Sequence, residues 1–177
     1  MIARYGAARS VRVPWHVYDV MRHECAHATV MAALGHRWSV IRVSPSSGGR
    51  VFPAEELPAR DRALIDLAGP VYSVWGVYDL GRSGLAPAHR MLAYPRPGFC
   101  GRDIDNYARN RFGPDSVEGF PGKEHAESTD EDLRAVVELL RKHQPEWDRL
   151  VAIIAGLELD EHGYFTLRWE DTFPESA

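Results

Sequence analysis

The sequence predicts a single α+β domain that is mainly helical and carries a small β-hairpin or sheet. Its 177 residues are enough for one domain with a substantial core. Three long stretches have apolar residues at helical spacing, and two short segments rich in β-formers flank a glycine-containing turn. We therefore expect one domain over residues 1–177, with its core at about 14–156 and a C-terminal tail at 157–177.

Composition and charge argue against several classes of protein. Hydrophobic residues make up 45% and charged residues 26%, as in ordinary globular domains, and the net charge of −4 does not favour a nucleic-acid interface. The two cysteines provide no disulfide framework, and no stretch approaches the roughly 18 apolar residues of a membrane span. Residues 1–13 lack the apolar run of a signal peptide. We expect a cytoplasmic protein that binds neither nucleic acid nor membrane.

The first part of the chain is expected to form a helix followed by a hairpin. The helix should span residues 14–34, because proline suits a first helical turn and Gly35 suits the stop. Residues 38–43 are rich in β-formers, and a turn at 45–49 leads to a returning strand at 50–52. An edge strand beside a helix can hold an extended peptide through backbone hydrogen bonds. A purely structural hairpin fits the pattern equally well.

The middle of the chain is expected to contain a core-building helix and a loop. Residues 58 to about 80 have helical apolar spacing, and Gly69 with Pro70 should kink that helix or start a second one. Residues 81–100 have no clear period and are predicted to be a loop. Asp103 stands where a new helix begins, a position at which aspartate is often a cap.

The last part of the chain is expected to be a loop, a long helix and a short strand. Residues 113–127 are predicted to be the loop. Residues 128–131 (S-T-D-E) have the pattern of a capping box that opens a helix. Pro145 should kink or restart that helix, and Gly156 should end it. The tail should hold one strand at 164–169.

The first helix carries the sequence H-E-C-A-H at residues 23–27, the pattern H-E-x-x-H. Residues four apart project from one face of a helix, so His23 and His27 can bind one metal ion. Neutral imidazoles suit zinc, and Glu24 beside them can take a proton from a water molecule. Cys25 points away from this face and is expected in the core. The alternative is a surface helix with two exposed histidines.

A zinc site of this type needs a third ligand from outside the helix. His16 shares the stripe of His23 but lies roughly 10 Å away by helix rise, so we expect an ordinary surface or partly buried histidine. The downstream side chains that could supply the ligand are Asp103, Asp105, Asp130, Asp132, Cys100 and His125. We expect Cys100 to be a buried thiol, and the residues alone leave the choice among the others open.

The motif helix and the segment after it resemble one known family. Residues 23–30 are similar to a helix of the type H-E-A-G-H-A, and Leu34 with Gly35 stands where that helix stops. The strand at 40–43 then leads to a proline and paired glycines. This order resembles the peptidase domain of the FtsH family of AAA+ zinc proteases. The resemblance implies a zincin-like zinc helix and a peptidase activity.

The resemblance continues downstream and implies a third ligand. Residues 63–70 (A-L-I-D-L-A-G-P) resemble the family's next helix with its Ala-Gly step. Asp103 at the head of a helix resembles the aspartate that is the family's third zinc ligand. The resemblance therefore implies that zinc is held by His23, His27 and Asp103.

This chain also departs from the family. Residues 72–74 are Tyr-Ser-Val where the family has Ala-Glu-Glu, and the chain has no G-x-x-x-x-G-K-[ST] nucleotide loop. The resemblance therefore implies a peptidase domain without its own ATPase, which a separate ATPase or delivery partner could supply with substrates.

The expected function is zinc-dependent hydrolysis of peptide bonds in peptide or protein substrates, independent of ATP in the single chain. Glu24 is the expected general base. Two alternatives remain open. One is a peptidase of narrow specificity that cuts a single regulatory partner, and the other is a non-catalytic binding or regulatory module that the metal stabilises.

Overall fold

The structure is a computed structural model, in which the described residues are 13–75, 92, 100–117 and 122–173. The helices and strands in these ranges are, in chain order, α1 (Trp15–Ala33), β1 (Trp38–Ser44), β2 (Gly48–Pro53), α2 (Ala59–Trp75), α3 (Gly101–Phe112), α4 (Ala126–Lys142), α5 (Gln144–Ala155), β3 (Phe165–Arg168) and α6 (Trp169–Thr172). Two short 3-10 helices, Pro114–Ser116 and Lys123–His125, lie between α3 and α4. The predicted helix end near residue 80 and nearly all of the predicted loop at 81–100 lie outside the described residues.

The predicted first helix is confirmed within one residue at each end, and its motif is buried. At the C-terminus of α1 the amide of His36 donates to the carbonyl of Met31 at 3.1 Å, as in a Schellman motif. Gly35 has a φ of +87°, which a residue without a Cβ adopts at little cost. All side chains of residues 23–31 are buried. The alternative of a surface helix with two exposed histidines is therefore wrong.

The three strands form one antiparallel sheet in the order β2-β1-β3. The predicted hairpin is confirmed, and in its turn the hydroxyl oxygen of Ser44 accepts from the amides of Ser46 and Ser47 at 3.2 and 3.3 Å. β1 is central and buries Ile41 and Val43. β2 packs beside α1 and pairs only with β1, so its other edge has no strand partner among the described residues.

α2 is the central helix and packs against α1, α3 and α4. Its residues 63–72 are buried, apart from partly exposed Asp66, as expected for a helix covered on several sides. The prediction that a second helix could start at Gly69 and Pro70 is wrong, because α2 continues through both residues. Proline cannot donate to the carbonyl four residues earlier, but packing on several sides holds this helix together.

α3 and α4 differ from prediction at their N-termini. Asp103 lies in the first turn of α3 as expected, but no side chain caps this helix, so Asp103 is not a cap. The predicted capping box at 128–131 is wrong, because α4 begins at Ala126 and has no side-chain cap. The 3-10 helix directly before Ala126 starts the helical path earlier, which leaves the S-x-x-E pattern inside the first turns.

α5 and the segment after it complete the domain. Pro145 lies in the first turn of α5 and Gly156 caps its end, so both predictions are confirmed. The predicted strand at 164–169 is confirmed as β3, which pairs with β1 and buries Phe165 and Leu167. The C-terminal segment therefore adds to the sheet and the core. Among the described residues, no helix has the length and hydropathy that crossing a bilayer requires.

Candidate metal centre

His23 and His27 of α1 meet Asp103 of α3 beside α2. Nε2 of His23 lies 3.0 Å from Oδ2 of Asp103, and Nε2 of His27 lies 3.6 Å from the same oxygen. The two Nε2 atoms are 3.1 Å apart. Among the described residues, these three side chains form the one group of His, Cys, Asp or Glu whose ligand atoms all lie within 4.8 Å. The structure thus brings together the residues that the resemblance implies as metal ligands.

Hydrogen bonds made by Nδ1 of each imidazole determine which ring nitrogen carries the proton and which offers a lone pair to the cluster. Nδ1–H of His27 donates to the carbonyl of Ile65 at 2.6 Å. Ser73 donates its hydroxyl proton to the carbonyl of Gly69 at 3.1 Å, so its oxygen accepts from Nδ1–H of His23 at 3.2 Å. A neutral imidazole with its proton on Nδ1 has its lone pair on Nε2. Two lone pairs and a carboxylate therefore face one another, an arrangement that needs a proton or a metal ion between them.

The spacing of the ligand atoms suits a tetrahedral zinc site. Zinc bonds of about 2.0–2.1 Å place neighbouring tetrahedral ligands roughly 3.3 Å apart, and the three distances above lie on both sides of that value. Gly69 of α2 leaves the necessary space, because a Cβ built on it would collide with Nε2 of both histidines. Two imidazoles and one carboxylate are also a donor set that catalytic zinc sites use. The residues present therefore fit zinc.

The protonation of the cluster follows from burial and from neighbouring charges. Burial lowers the pKa of His23. Burial also favours a lower pKa for His27. The hydrogen bond to Asp103 and the negative charges of Asp103 and Glu24 outweigh burial, and together they raise the pKa of His27 to about 9. Burial favours the neutral acid at Asp103, yet the contacts of its carboxylate with His23 and His27 hold its pKa below the usual range. A metal ion that binds here must displace the proton of His27.

The side chain of Glu24, a residue of α1, packs beside Gly49 of β2 and lines the same cleft as His27 and Asp103. Only 7% of Glu24 is exposed, and a Cβ built on Gly49 would collide with its side chain. Burial raises the pKa of Glu24 to about 7, with the charge of Asp103 adding to the rise and that of His27 opposing it. A carboxyl group with a pKa near neutrality can both accept and release a proton at physiological pH.

The cleft beside the cluster has a volume of about 550 Å³. α1 and α2 contribute to its lining, together with the polar face of α3 and with β2 and the segment that follows β2. A volume in this range accommodates a ligand the size of a short peptide. Two of the candidate ligands, His27 and Asp103, and the candidate base therefore adjoin a space that a peptide substrate could occupy.

The other carboxylates proposed from the sequence as third ligands lie outside the cluster. Asp105 is exposed on α3. Asp130 pairs with Arg134 at 2.6 Å one turn along α4. Asp132 is buried, and its Oδ2 accepts from Nε of Arg111 at 2.6 Å. Asp103 is the carboxylate that reaches both imidazoles.

The remaining candidates also have other surroundings. His125 stacks on an aromatic ring of α3, with ring centroids 4.1 Å apart. Cys100 is buried, as predicted, with its Sγ 3.7 Å from Oγ of Ser73. His16 is exposed, and Cys25 is buried in the core, as predicted.

Three residues of α2 contribute to the centre that sequence reasoning did not identify. Ile65 and Ser73 hold the histidine rings, and Gly69 leaves room between them. Their positions are four apart, so they lie on one face of α2. That spacing was visible in the sequence, but the contributions of a carbonyl group and of a missing side chain leave no pattern of residue types.

In the comparison with known proteins, no protein-family model, no curated protein and no solved structure matches this chain. The resemblance to the FtsH peptidase domain therefore stays a prediction that rests on the residues themselves.

Proposed function

We propose that this protein is a zinc-dependent metallopeptidase that cleaves peptide bonds without an ATPase of its own. The observation that carries the proposal is the convergence of two imidazole lone pairs and one carboxylate beside a buried glutamate in an open cleft. The packing of α1 beside an edge strand supports the finer proposal that the fold is zincin-like. We further propose that the chain is a short relative of the FtsH peptidase domain.

Each residue of the centre has one role in the proposed reaction. His23, His27 and Asp103 would hold zinc, which when bound would supply a Lewis acid for the scissile carbonyl and for the attacking water. Glu24 takes a proton from the attacking water and passes it to the leaving amine. Gly49 packs against Glu24 and restricts the positions that its carboxylate can take.

β2 offers a place for the substrate. Gly49, Arg50, Val51 and Pro53 of this edge strand line the cleft next to Glu24. An extended peptide that pairs with an exposed strand edge gains backbone hydrogen bonds that do not depend on its sequence. This arrangement would present successive peptide bonds to the metal centre.

Replacement Glu24→Gln tests the catalytic role. Gln has nearly the same shape but cannot accept the proton, so turnover of a fluorogenic peptide should fall by about 10²- to 10⁴-fold. Zinc content should not change, because Glu24 is not a ligand in the proposal. The measurements are peptidase rate and zinc per chain on the same preparation.

Glu138→Gln is the matched control, because Glu138 is an exposed glutamate on α4, outside the lining of the cleft. Its peptidase rate should stay within about twofold of the unmodified protein, as for most surface changes. Equal rates for Glu24→Gln and the unmodified protein would contradict the proposal, and so would the absence of hydrolysis in a zinc-loaded protein.

The proposal extends to partners and location. A separate ATPase or delivery protein would bring unfolded substrates to the cleft. Cys25 and Cys100 are buried and form no disulfide, which agrees with the proposed cytoplasmic location.

A further inference from the structure

Four arginines line the cleft beside the metal centre, namely Arg50, Arg62, Arg102 and Arg109. Within the described ranges, none of them has a carboxylate oxygen within 4.0 Å. Three of them, all but Arg62, are exposed. A guanidinium group offers a planar set of donors that matches a carboxylate, so these side chains are available to a ligand that brings one.

The contacts that two of these arginines make are to uncharged acceptors. Nη2 of Arg62 donates to the carbonyl of Leu57 at 3.1 Å, and Nη1 of Arg109 donates to Oδ1 of Asn106 at 3.1 Å. Such bonds hold a guanidinium group in place without neutralising it, although the charge of Arg62 also acts on neighbouring Asp66. The cleft therefore has positioned positive charge next to the candidate metal.

α3 arranges part of this charge along one face. Residues 102, 106, 109 and 110 recur at helical spacing and all line the cleft. The side of α3 that faces the core carries Ile104, Tyr107 and Ala108, which are buried. Arg102 and Arg109 lie about two turns apart, roughly 10 Å along the helix axis. A ligand must therefore carry more than one negative group to reach both.

Most acidic residues of the cleft have partners of their own. Asp66 accepts from Nδ2 of Asn110 at 2.7 Å and interacts with the charge of Arg62. Glu55 lies 3.6 Å from Nδ1 of His36. Of the other acids in the lining, Asp103 belongs to the metal-binding cluster and Glu24 is the proposed general base. Glu56, which is exposed at the rim, is the remaining acid of the lining.

We propose that the cleft selects acidic peptides, whose Asp or Glu side chains on either side of the scissile bond bind Arg102 and Arg109 of α3 and Arg50 of β2. The assignment of hydrolysis rests on the function proposed above, whereas the binding preference is a property of the cleft alone. A peptide fits better than another polyanion because β2 offers backbone groups for strand pairing as well as charge.

The test measures binding separately from cleavage. Short labelled peptides that differ only in carrying Glu, Gln or Lys beside the central bond are titrated into Glu24→Gln protein, and binding is followed by fluorescence anisotropy. The Glu peptide should bind roughly tenfold more tightly than the Gln peptide, and the Lys peptide more weakly than both. The preference should weaken as salt is raised.

Variants assign the preference to the arginines. Arg102→Gln and Arg109→Gln should each weaken binding of the Glu peptide by roughly fivefold and leave the Gln peptide nearly unchanged. Arg134→Gln is the control, since it removes the same charge from the exposed surface of α4, outside the cleft. Circular dichroism and zinc content show that the variants remain folded.

The outcomes separate the two proposals. A Glu preference that Arg102→Gln and Arg109→Gln remove supports the acidic-peptide site, even if the protein with Glu24 cleaves none of the peptides, in which case only the proposed hydrolysis fails. Equal binding of the three peptides, no binding of any, or an unchanged preference in both variants overturns the site. An oligonucleotide of similar charge that binds as tightly as the Glu peptide overturns the assignment to peptides.

Discussion

At the scale of single residues, the candidate metal centre depends on a position without a side chain. Gly69 allows the backbone of α2 to approach the two Nε2 atoms, and any Cβ there would collide with both. The histidines need this room because their lone pairs converge on one point. The glycine thus contributes to the site as directly as a ligand does.

Gly69→Ala should therefore remove the metal while leaving the helix in place. Alanine favours a helix over glycine by about 1 kcal/mol, so secondary structure should persist, but the methyl group fills the space between the imidazoles. Zinc per chain should fall from near one to near zero. Gly156→Ala, whose methyl meets only backbone oxygens at 3.4 and 3.5 Å, is the control and should keep its zinc. A fully loaded Gly69→Ala protein would contradict this geometry.

The proton on His27 gives a second prediction at this scale. Its pKa of about 9 lies above the ordinary value of 6.5, so His27 stabilises the metal-free fold below pH 6.5 and loses that contribution as the pH rises through about 9. Zinc that binds at pH 7 must displace this proton.

Calorimetry in buffers of different ionisation enthalpy measures the protons released. The unmodified protein should be used, because the charge of Glu24 helps to raise the pKa of His27. About one proton or more should leave per zinc at pH 7, since Glu24, with a pKa of about 7, can add to the release. The number should decline as the pH approaches and passes 9. His16→Ala, a change at an exposed histidine, should alter nothing. Zinc binding without proton release at pH 7 would show that His27 is neutral in the metal-free protein.

The arrangement of the candidate site is predictable from the sequence where its residues are close in the chain, and it is not where they are distant. His23, Glu24 and His27 lie within one helical turn, so their spacing alone predicts a shared site. Asp103 is far along the chain, and only the resemblance singled it out among several carboxylates. Ser73 donates its hydroxyl proton to the carbonyl of Gly69 and accepts from His23 with its oxygen, a role that no pattern of residue types reveals.

At the scale of secondary-structure elements, the position of Asp103 depends on how α3 is docked. The carboxylate of Asp132 on α4 accepts from the hydroxyl of Tyr107 at 3.0 Å and from Nε of Arg111 at 2.6 Å, both on α3. Asp132 is buried, and Tyr107 is fully buried. This pair of bonds links α3 to α4 and, together with the packing of α3 on α2, helps to hold Asp103 at the candidate metal centre.

Asp132→Ala should loosen that docking. It leaves a buried hydroxyl group and a guanidinium group without their acceptor, which should lower the free energy of unfolding by roughly 2–3 kcal/mol, the partial exposure of Arg111 limiting the loss. Zinc should then bind more weakly. Urea unfolding and zinc titration measure both effects. Asp130→Ala, which breaks an exposed pair with Arg134, should cost under about 1 kcal/mol. Equal stabilities of the two variants would contradict the docking role.

The interiors of the elements were predictable, and their ends were less so. α1 and the hairpin follow from apolar spacing, β-formers and Gly35, which are local signals. Pro70 signalled an interruption, but the packing of α2 on several sides outweighs the missing hydrogen bond. The S-T-D-E pattern predicted a helix start, yet the 3-10 helix before α4 begins the helical path sooner.

At the scale of the whole molecule, the candidate metal centre joins segments that are distant in the sequence. His23 and Asp103 are separated by 80 positions, and α2, which lies between them in the sequence, supplies the backbone on which the imidazoles are oriented. β3 closes the sheet from near the C-terminus by pairing with β1. The strand itself was predictable from its composition, but its partner was not, because pairing over such a distance depends on how the helices pack.

The most direct test of the central claim is the zinc content of the protein, measured by elemental analysis after purification without an affinity tag. The account predicts a value near one per chain, which falls sharply in Asp103→Ala and stays near one in Asp105→Ala, a change at an exposed aspartate of the same helix. A value near zero that does not rise when zinc is added, or equal zinc in both variants, would contradict the metal centre described here.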